Sequence, residues 1–336
     1  MLGRVFDTLV VLLRLGLEDN GPKPMQITVL LTPEEWRDVY QTAQRHVVTG
    51  IAWDGVERLQ STSPEQIQSM PADLAGKWFA DSQAIQAANR HMAKRAAQVQ
   101  AAIQDAGFES QILKGASLAA YYPQPTHRQA ADVDLWVRPR QAGHGSLAEC
   151  RQALLDYLRR QHDTTIGEVV YHHIETTVAN TEIEYHITPT WLCNPLHNGR
   201  LQRLFASAGQ QNAELQEVYA LLHAFRHIYH DGMAMRHVMD YYLVCRANRE
   251  AGVQAPDTIY RQLGLTRFAG VMNEVSGYLF EQAFDKRLSG AAQHLLSALP
   301  ERKVSRRIKW DYPAETLCVL PWRTVHYLWR RIHHYV

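Results

Sequence analysis

The sequence predicts an α+β fold in which a small sheet is held between N-terminal and C-terminal helical regions, and three observations carry that expectation. Helical signals fill about the first hundred residues; the hydrophobic period shortens between about 108 and 188; helical spacing returns from Trp191 onward. These changes of period set boundaries at 1–106, 107–190 and 191–336. The middle block taken alone is compatible with either α/β or α+β.

The opening segment, rich in Leu between Leu2 and Leu17, reads as an amphipathic helix, because Asp7 and Arg14 interrupt an apolar run that would otherwise resemble a signal peptide. A break follows at Asn20-Gly21-Pro22. Thr32-Pro33-Glu34-Glu35 is a helix start: the Thr32 hydroxyl can accept from first-turn amides, Pro33 suits the first helical position, and Glu35 completes a capping box. Asp81-Ser82 is expected to open a long helix from Gln83 to Asp105, stopped by Gly107.

Four strands are expected next: Gln111 to Leu113, Val133 to Val137, Glu168 to Val178 and Glu182 to Ile187. Gln141 to Arg160 carries Leu147, Leu154, Leu155 and Tyr157 at helical spacing and separates the second strand from the third. Beyond them, Glu214 to Tyr229 and Met235 to Ala247 are helices joined by the turn His230-Asp231-Gly232. The last 36 residues hold eight Lys/Arg and three Asp/Glu, which fits a solvated helical face first and a weak phosphate or nucleic-acid contact second.

Composition excludes several classes. With 35 Lys+Arg against 34 Asp+Glu the net charge is +1, which argues against a dedicated polyanion binder. At 46% hydrophobic and 21% charged the chain is neither disordered nor membrane-embedded. Its four cysteines are far apart and form no CxxC pair, so they are expected as reduced, buried thiols in a cytoplasmic protein. GxxxxGK[ST], GxGxxG and GxSxG are all absent, which removes the P-loop, dinucleotide and nucleophile-elbow readings.

The chemistry concentrates between Leu113 and Val137. Asp132 and Asp134, one residue apart on a strand, point to one face of a sheet and can share divalent cations. Glu182, Glu184 and His186 alternate along the fourth strand, and Glu184 is the best third carboxylate. Gly115 lets the backbone approach a phosphate, and Ser117 adds a hydroxyl. Lys114 and Arg128 bring positive charge that can steer a triphosphate or neutralise a leaving pyrophosphate; an ion pair with an acidic neighbour is the other use open to Arg128. His223 and His227, four apart on one helix face, suit packing, cleft lining or zinc, although no third ligand is evident and HExxH is absent. Arg236 and Asp240 are most simply an intrahelical ion pair beside them, and His230 and His237 lie close by in sequence.

Read together, KGASLAAYYPQPTHR, ADVDLWV and IEYHIT resemble the polymerase-beta-like nucleotidyltransferase superfamily, and specifically its bacterial branch of uncharacterised nucleotidyltransferases. The LLRLGL segment, the LTPEEW helix and LLHAFRHIYHDGMAMRHVMDYYLV are similar to that branch in type and order, so the resemblance covers most of the chain; the last 50 or so residues match only in helical character. It implies a small mixed nucleotidyltransferase sheet with Gly115 and Ser117 at the phosphate-holding turn, and Asp132, Asp134 and Glu184 as catalytic metal ligands. Lys114 and Arg128 join the nucleotide-binding set, and His186, His223, His227, Arg236 and Asp240 become cleft-lining residues. Two departures stand out: Gly115-Ala116 replaces the usual Gly-Ser or Gly-Gly, and Glu184 stands where an Asp is common.

The implied activity is Mg²⁺-dependent, or Mn²⁺-dependent, transfer of a nucleoside monophosphate from an NTP such as ATP to a hydroxyl. A small-molecule acceptor is favoured, then a protein side chain or an RNA end. The near-neutral charge disfavours stable nucleic-acid binding and allows a brief RNA contact. The alternative is a catalytically silent nucleotide-binding or partner-binding protein that retains the fold.

Overall fold

The computed structural model describes residues 3–18, 30–140, 146–207, 213–229, 232–281, 287–302, 308–309, 311–319 and 321. The Asn20-Gly21-Pro22 break, the first residues of the Gln141–Arg160 helix, His230, Asp231 and most of the basic tail lie outside these residues.

The N-terminal region is helical as the spacing predicts, with α1 (Arg4–Gly16), α2 (Pro33–Arg45), α3 (Thr49–Thr62) and α4 (Ala72–Asp105). The capping box forms: Glu35 N donates to Thr32 Oγ1 at 3.2 Å, and Thr32 N to Glu35 Oε2 at 2.8 Å. Helices α1 and α3 cross in near contact because Gly16 and Gly55 leave no Cβ at the crossing. A methyl at Gly55 would sit 2.1 Å from the Leu12 carbonyl oxygen, and one at Gly16 2.2 Å from that of Ile51.

Helix α4 begins nine residues before the expected Asp81-Ser82 start. That dipeptide reads as a cap, yet its capping capacity is taken up inside the helix: Lys77 Nζ donates to the Asp81 carboxylate at 2.9 Å from one turn earlier, and the Tyr40 hydroxyl donates to it as well. The resulting helix of 34 residues is about 51 Å long at 1.5 Å per residue and serves two cores. Its first turns bury Leu74 and Trp78 against α2 and α3, while Ala96, Val99 and Ile103 near its end lie against the sheet.

The sheet has five strands in the order β1-β2-β5-β4-β3: β1 (Phe108–Ile112), β2 (Val133–Pro139), β3 (Thr164–Val169), β4 (His173–Val178) and β5 (Thr181–His186). The β2–β5 pair is parallel and the others antiparallel, which makes the sheet mixed. The single strand expected over Glu168–Val178 is instead the end of β3, a short turn and β4. The apolar and β-branched run continues through Val169-Val170-Tyr171 without Gly, Pro or Asn, so the turn leaves no punctuation in the sequence; Val170 N–H donates to His173 O at 2.9 Å to close it.

Short α5 (Lys114–Ala119) follows β1, and α6 (Leu147–Leu158) follows β2, opened by a Ser146/Glu149 capping box. One sheet face carries Val133, Leu135, Val137, Ile174, Ile183 and Tyr185 into a core with α4 and α6. The other face turns toward the C-terminal bundle of α7 (Pro195–Ser207), α8 (Ala213–Tyr229), α9 (Met235–Glu250), α10 (Asp257–Gln262), α11 (Thr266–Phe280) and α12 (Gly290–Ala298). Helices from both ends of the chain share one hydrophobic cluster, which also takes in Leu118, Tyr122 and Trp136. Among the described residues no helix is long and apolar enough to cross a membrane.

Candidate active site

Strand register assembles the site. Parallel pairing of β2 with β5 sets Asp134 opposite Glu184, and antiparallel pairing of β4 with β5 sets Glu175 opposite Glu184 and His173 opposite His186. Side chains at these positions emerge on the face turned away from the α4–α6 core. Asp132 lies in a bend just before β2 rather than on it, yet it converges: one oxygen from each of Asp132, Asp134 and Glu184 lies within 4.8 Å of the others.

Asp134 is 2% exposed. Its Oδ1 accepts from Lys114 Nζ at 2.8 Å and from His186 Nε2 at 2.6 Å. Burial works against its charge, but Lys114 and His186 outweigh burial and hold its carboxyl well below the usual carboxylate range. Its Oδ2 is buried without a partner. Asp132 behaves oppositely: burial, then repulsion from Asp134, pushes it up to about 6. Neighbouring carboxylates thus differ in proton affinity, as expected where negative charge crowds. For Glu184, burial is again opposed, here by His186 and Lys114, and the net direction is downward.

A buried carboxylate oxygen with no donor, beside two further carboxylates, is a donor set for a hard divalent cation. The residues fit a metal at this place.

The turn after β1 brings Lys114 to Asp134. Gly115 has φ +36°, a conformation that side-chain-bearing residues rarely adopt, and it breaks α5 just after Lys114. Ser117 Oγ donates to Lys114 O at 3.1 Å, closing the turn. Arg128 is buried, and its guanidinium donates through Nε and Nη2 to the two oxygens of Asp240, both at 2.7 Å, and through Nη1 to Gly115 O at 3.3 Å. Tyr122 donates to the same Asp240 at 2.8 Å. The ion pair with an acidic neighbour is therefore the use this structure makes of Arg128, and it ties α9 to the Gly115 turn.

The intrahelical Arg236–Asp240 pair is corrected by the same contacts. Asp240 is taken by Arg128 and Tyr122 from another element, and Arg236 Nη1 donates to Gln129 O at 2.7 Å. Bidentate geometry between α9 and the loop satisfies the carboxylate more fully than a partner one turn away.

His223 and His227 stand on α8 with Nε2 atoms 3.3 Å apart, and His237 packs on both rings. Burial pushes the His227 imidazole down to about 3 and holds those of His223 and His237 well below the ordinary histidine value, and the positive charge of Lys114 adds to this at His223 and His227. Burial thus disfavours charge on these rings, which lie on the helical side of the cleft. Arg226 was not singled out by sequence: it sits within an apolar helix pattern, and only its position one residue before His227 hinted at the cleft. It stacks over Trp191 at 4.5 Å, its Nε is buried without a partner, and Glu184 and Asp134 lie within its electrostatic reach. His173 was also missed, because its strand was read in one piece with β3.

A cavity of about 270 Å³ opens beside Asp132 and Asp134, between α4 and the Gly115 turn; Met92, Ala96, Ile112 and Ala116 give it apolar walls.

No curated protein and no solved structure matches the chain. The family described as uncharacterised nucleotidyltransferase matches residues 32–281, from the capping box of α2 to the end of α11. That span holds the Lys114-Gly115 turn, the three carboxylates, and the helices that face them, and on it the chain belongs to the uncharacterised nucleotidyltransferase family of transferase enzymes.

Proposed function

We propose that this transferase moves a nucleoside monophosphate from an NTP to a hydroxyl of a small-molecule acceptor in a metal-dependent reaction. The observation that carries the reading is the convergence of Asp132, Asp134 and Glu184 within 4.8 Å beside the Lys114-Gly115 turn, with Asp134 Oδ2 buried and unpartnered. Asp132, Asp134 and Glu184 hold divalent cations, Mg²⁺ first and Mn²⁺ as a substitute, whose chemistry is to acidify the acceptor hydroxyl and stabilise the leaving pyrophosphate.

The chain's own groups position the substrates. Arg226 and Lys114 supply positive charge for the triphosphate from opposite sides of the cleft, and the Gly115 turn with Ser117 lets the backbone approach its phosphates. The Arg128–Asp240 pair keeps that turn in place. His223 and His227, half-buried, line the helical wall and offer hydrogen bonds. The apolar cavity beside Asp132 suits the carbon skeleton of a small acceptor and favours it over a protein side chain or an RNA end.

Calorimetric titration with non-hydrolysable analogues of the four NTPs, with and without Mg²⁺, tests the reading on the wild type and on the Asp132→Ala/Asp134→Ala double variant. Binding that requires Mg²⁺ and is lost in the variant is the expected result. Metal-independent binding, unchanged in the variant, would instead mark a catalytically silent nucleotide-binding protein. No binding of any analogue would overturn the donor assignment.

A further inference from the structure

Two imidazoles accompany the carboxylates, and the transfer reading leaves them without a role. His173 lies opposite His186 in the β4–β5 register, with ring centroids 5.2 Å apart, and both rings face Glu184. His173 Nε2 is 3.3 Å from Glu175 Oε1. A carboxylate oxygen can only accept, so the imidazole proton is on Nε2 and Nδ1 presents a lone pair. That lone pair is 3.3 Å from Glu184 Oε2, and no hydrogen bond joins them. Two acceptors at that distance repel unless a cation lies between them. His186 is fully buried; its Nε2 faces Asp134 Oδ1 at 2.6 Å and Glu184 Oε2 at 3.1 Å, so one N–H is shared between two carboxylates. Ligand atoms of His173, Glu184 and His186 all lie within 4.8 Å of one another.

We infer that His173, Glu184 and His186 form a nitrogen-containing site for a first-row transition-metal dication such as Mn²⁺ or Zn²⁺, with Glu175 as the positioning residue that aims His173. The donor chemistry sets the preference: imidazole suits transition metals, whereas Mg²⁺ is held by oxygens and water. Glu175 accepting from the far ring nitrogen of His173 is the outer-shell arrangement that fixes tautomer and ring orientation in histidine metal sites. To ligate as a neutral imidazole His186 would keep its proton on Nδ1, which no carboxylate engages, and present Nε2 to the metal in place of the N–H it now shares between Asp134 and Glu184. The inference rests on the transfer reading only for the use made of the ion, as the cation nearest Glu184; binding itself stands apart from it.

The same tautomer argument separates this group from the other histidine cluster. His237 Nδ1 accepts from Ala234 N–H at 3.1 Å, so its proton is on Nε2 and no lone pair remains for a metal. Its ring is stacked on His227 at 4.0 Å and 18°, the packing of neutral rings. At β4–β5 the His173 Nδ1 lone pair and a Glu184 oxygen converge beside His186, whereas on α8 the 3.3 Å contact between the Nε2 atoms of His223 and His227 already spends one ring's proton on the other's lone pair.

The test is pulsed electron paramagnetic resonance of Mn²⁺ bound to the full chain, prepared with ordinary and with ¹⁵N-labelled histidine, with NTP-analogue binding measured on the same samples. A ¹⁴N coupling that becomes a ¹⁵N coupling on labelling is expected. Glu175→Ala, at a side chain 45% exposed and so tolerant of change, should weaken Mn²⁺ binding by about 10–100-fold, while Glu175→Gln, which still accepts from His173, should retain it. His173→Gln should remove one of the two couplings. Bound Mn²⁺ without histidine coupling would overturn the site and leave the transfer reading intact if the analogue still binds with Mg²⁺. Displacement of Mn²⁺ by a roughly equal concentration of Mg²⁺ would overturn the preference. Absence of bound Mn²⁺, with or without the analogue, would overturn the site outright.

Discussion

Replacing Asp240 by Ala should destabilise the fold far more than a typical change on α9, and the reason can be worked from its contacts. Arg128 and Asp240 have side chains 3% and 1% exposed and meet in a bidentate pair at 2.7 Å. Burial alone would weaken the Arg128 cation; Asp240 more than offsets it, and the guanidinium is held more basic than in water. Removing the carboxylate strands a buried cation and takes the acceptor from Tyr122. Breaking one partner of a buried pair costs about 3–5 kcal/mol, against a total stability of about 5–15 kcal/mol. Deleting both charges with similar volume retained, as in Arg128→Met/Asp240→Leu, should cost much less than the two single changes added together, because no charge is left unpaired. Urea unfolding followed by tryptophan fluorescence on wild type, both singles and the double gives the cycle. Single variants within about 1 kcal/mol of wild type, or costs that simply add, would refute the claim that this pair is a coupled strut between α9 and the Gly115 turn.

Arg226→Met should weaken binding of an NTP analogue by about 10–100-fold, the worth of one charge-assisted contact of about 1.5–3 kcal/mol, with Arg226→Lys intermediate; calorimetry showing unchanged affinity would remove Arg226 from the phosphate site. Gly115→Ala meets nothing closer than Asp132 O at 3.7 Å, so its cost is conformational, about 1–2 kcal/mol for the left-handed backbone, and a thermal melt indistinguishable from wild type would contradict the turn geometry. Acid should destabilise the protein through its buried histidines, an effect opposed in part by Asp132, whose carboxyl, raised to about 6, takes up its proton in the folded state first. Burial lowers His46 from 6.5 to about 4, so between those values the unfolded chain binds the extra proton and stability falls as pH falls, by about 3 kcal/mol at most for this residue. His227 and His173, each lowered to about 3, act in the same direction; a urea midpoint that is flat between pH 7.5 and 5 would count against it.

Local chemistry was legible in the sequence wherever one residue's neighbours in sequence are also its partners. The Thr32/Glu35 capping box, the Lys114-Gly115 turn and the spacing of Glu184 and His186 all survive because their physics spans three or four residues. Asp132 and Asp134 converge even though Asp132 precedes the strand. Misreadings arose where a partner came from elsewhere. Asp81-Ser82 reads as a cap because nothing in sequence announces that the Tyr40 hydroxyl, from α2, and Lys77 occupy the carboxylate. Asp240 reads as the partner of Arg236 because Arg128, 112 residues earlier, is invisible to helical spacing.

The β3–β4 turn shows how much one unpunctuated stretch can hide. Reading Glu168 to Val178 as a single strand leaves no fifth strand and gives His173 no register against His186. Once β4 pairs with β5, the alternation places His173, Glu175, Glu184 and His186 on the face that carries Asp134, so His173 joins the Glu184 and His186 that the sequence already put on one side of a strand. Register converts a one-dimensional pattern into a cluster of side chains, and a slip of one residue would send all of these groups to the apolar face. The hydrophobic alternation of Ile174, Val178, Ile183 and Tyr185 against α4 and α6 is what forbids that slip. The core on one side of the sheet therefore fixes which ligands meet on the other.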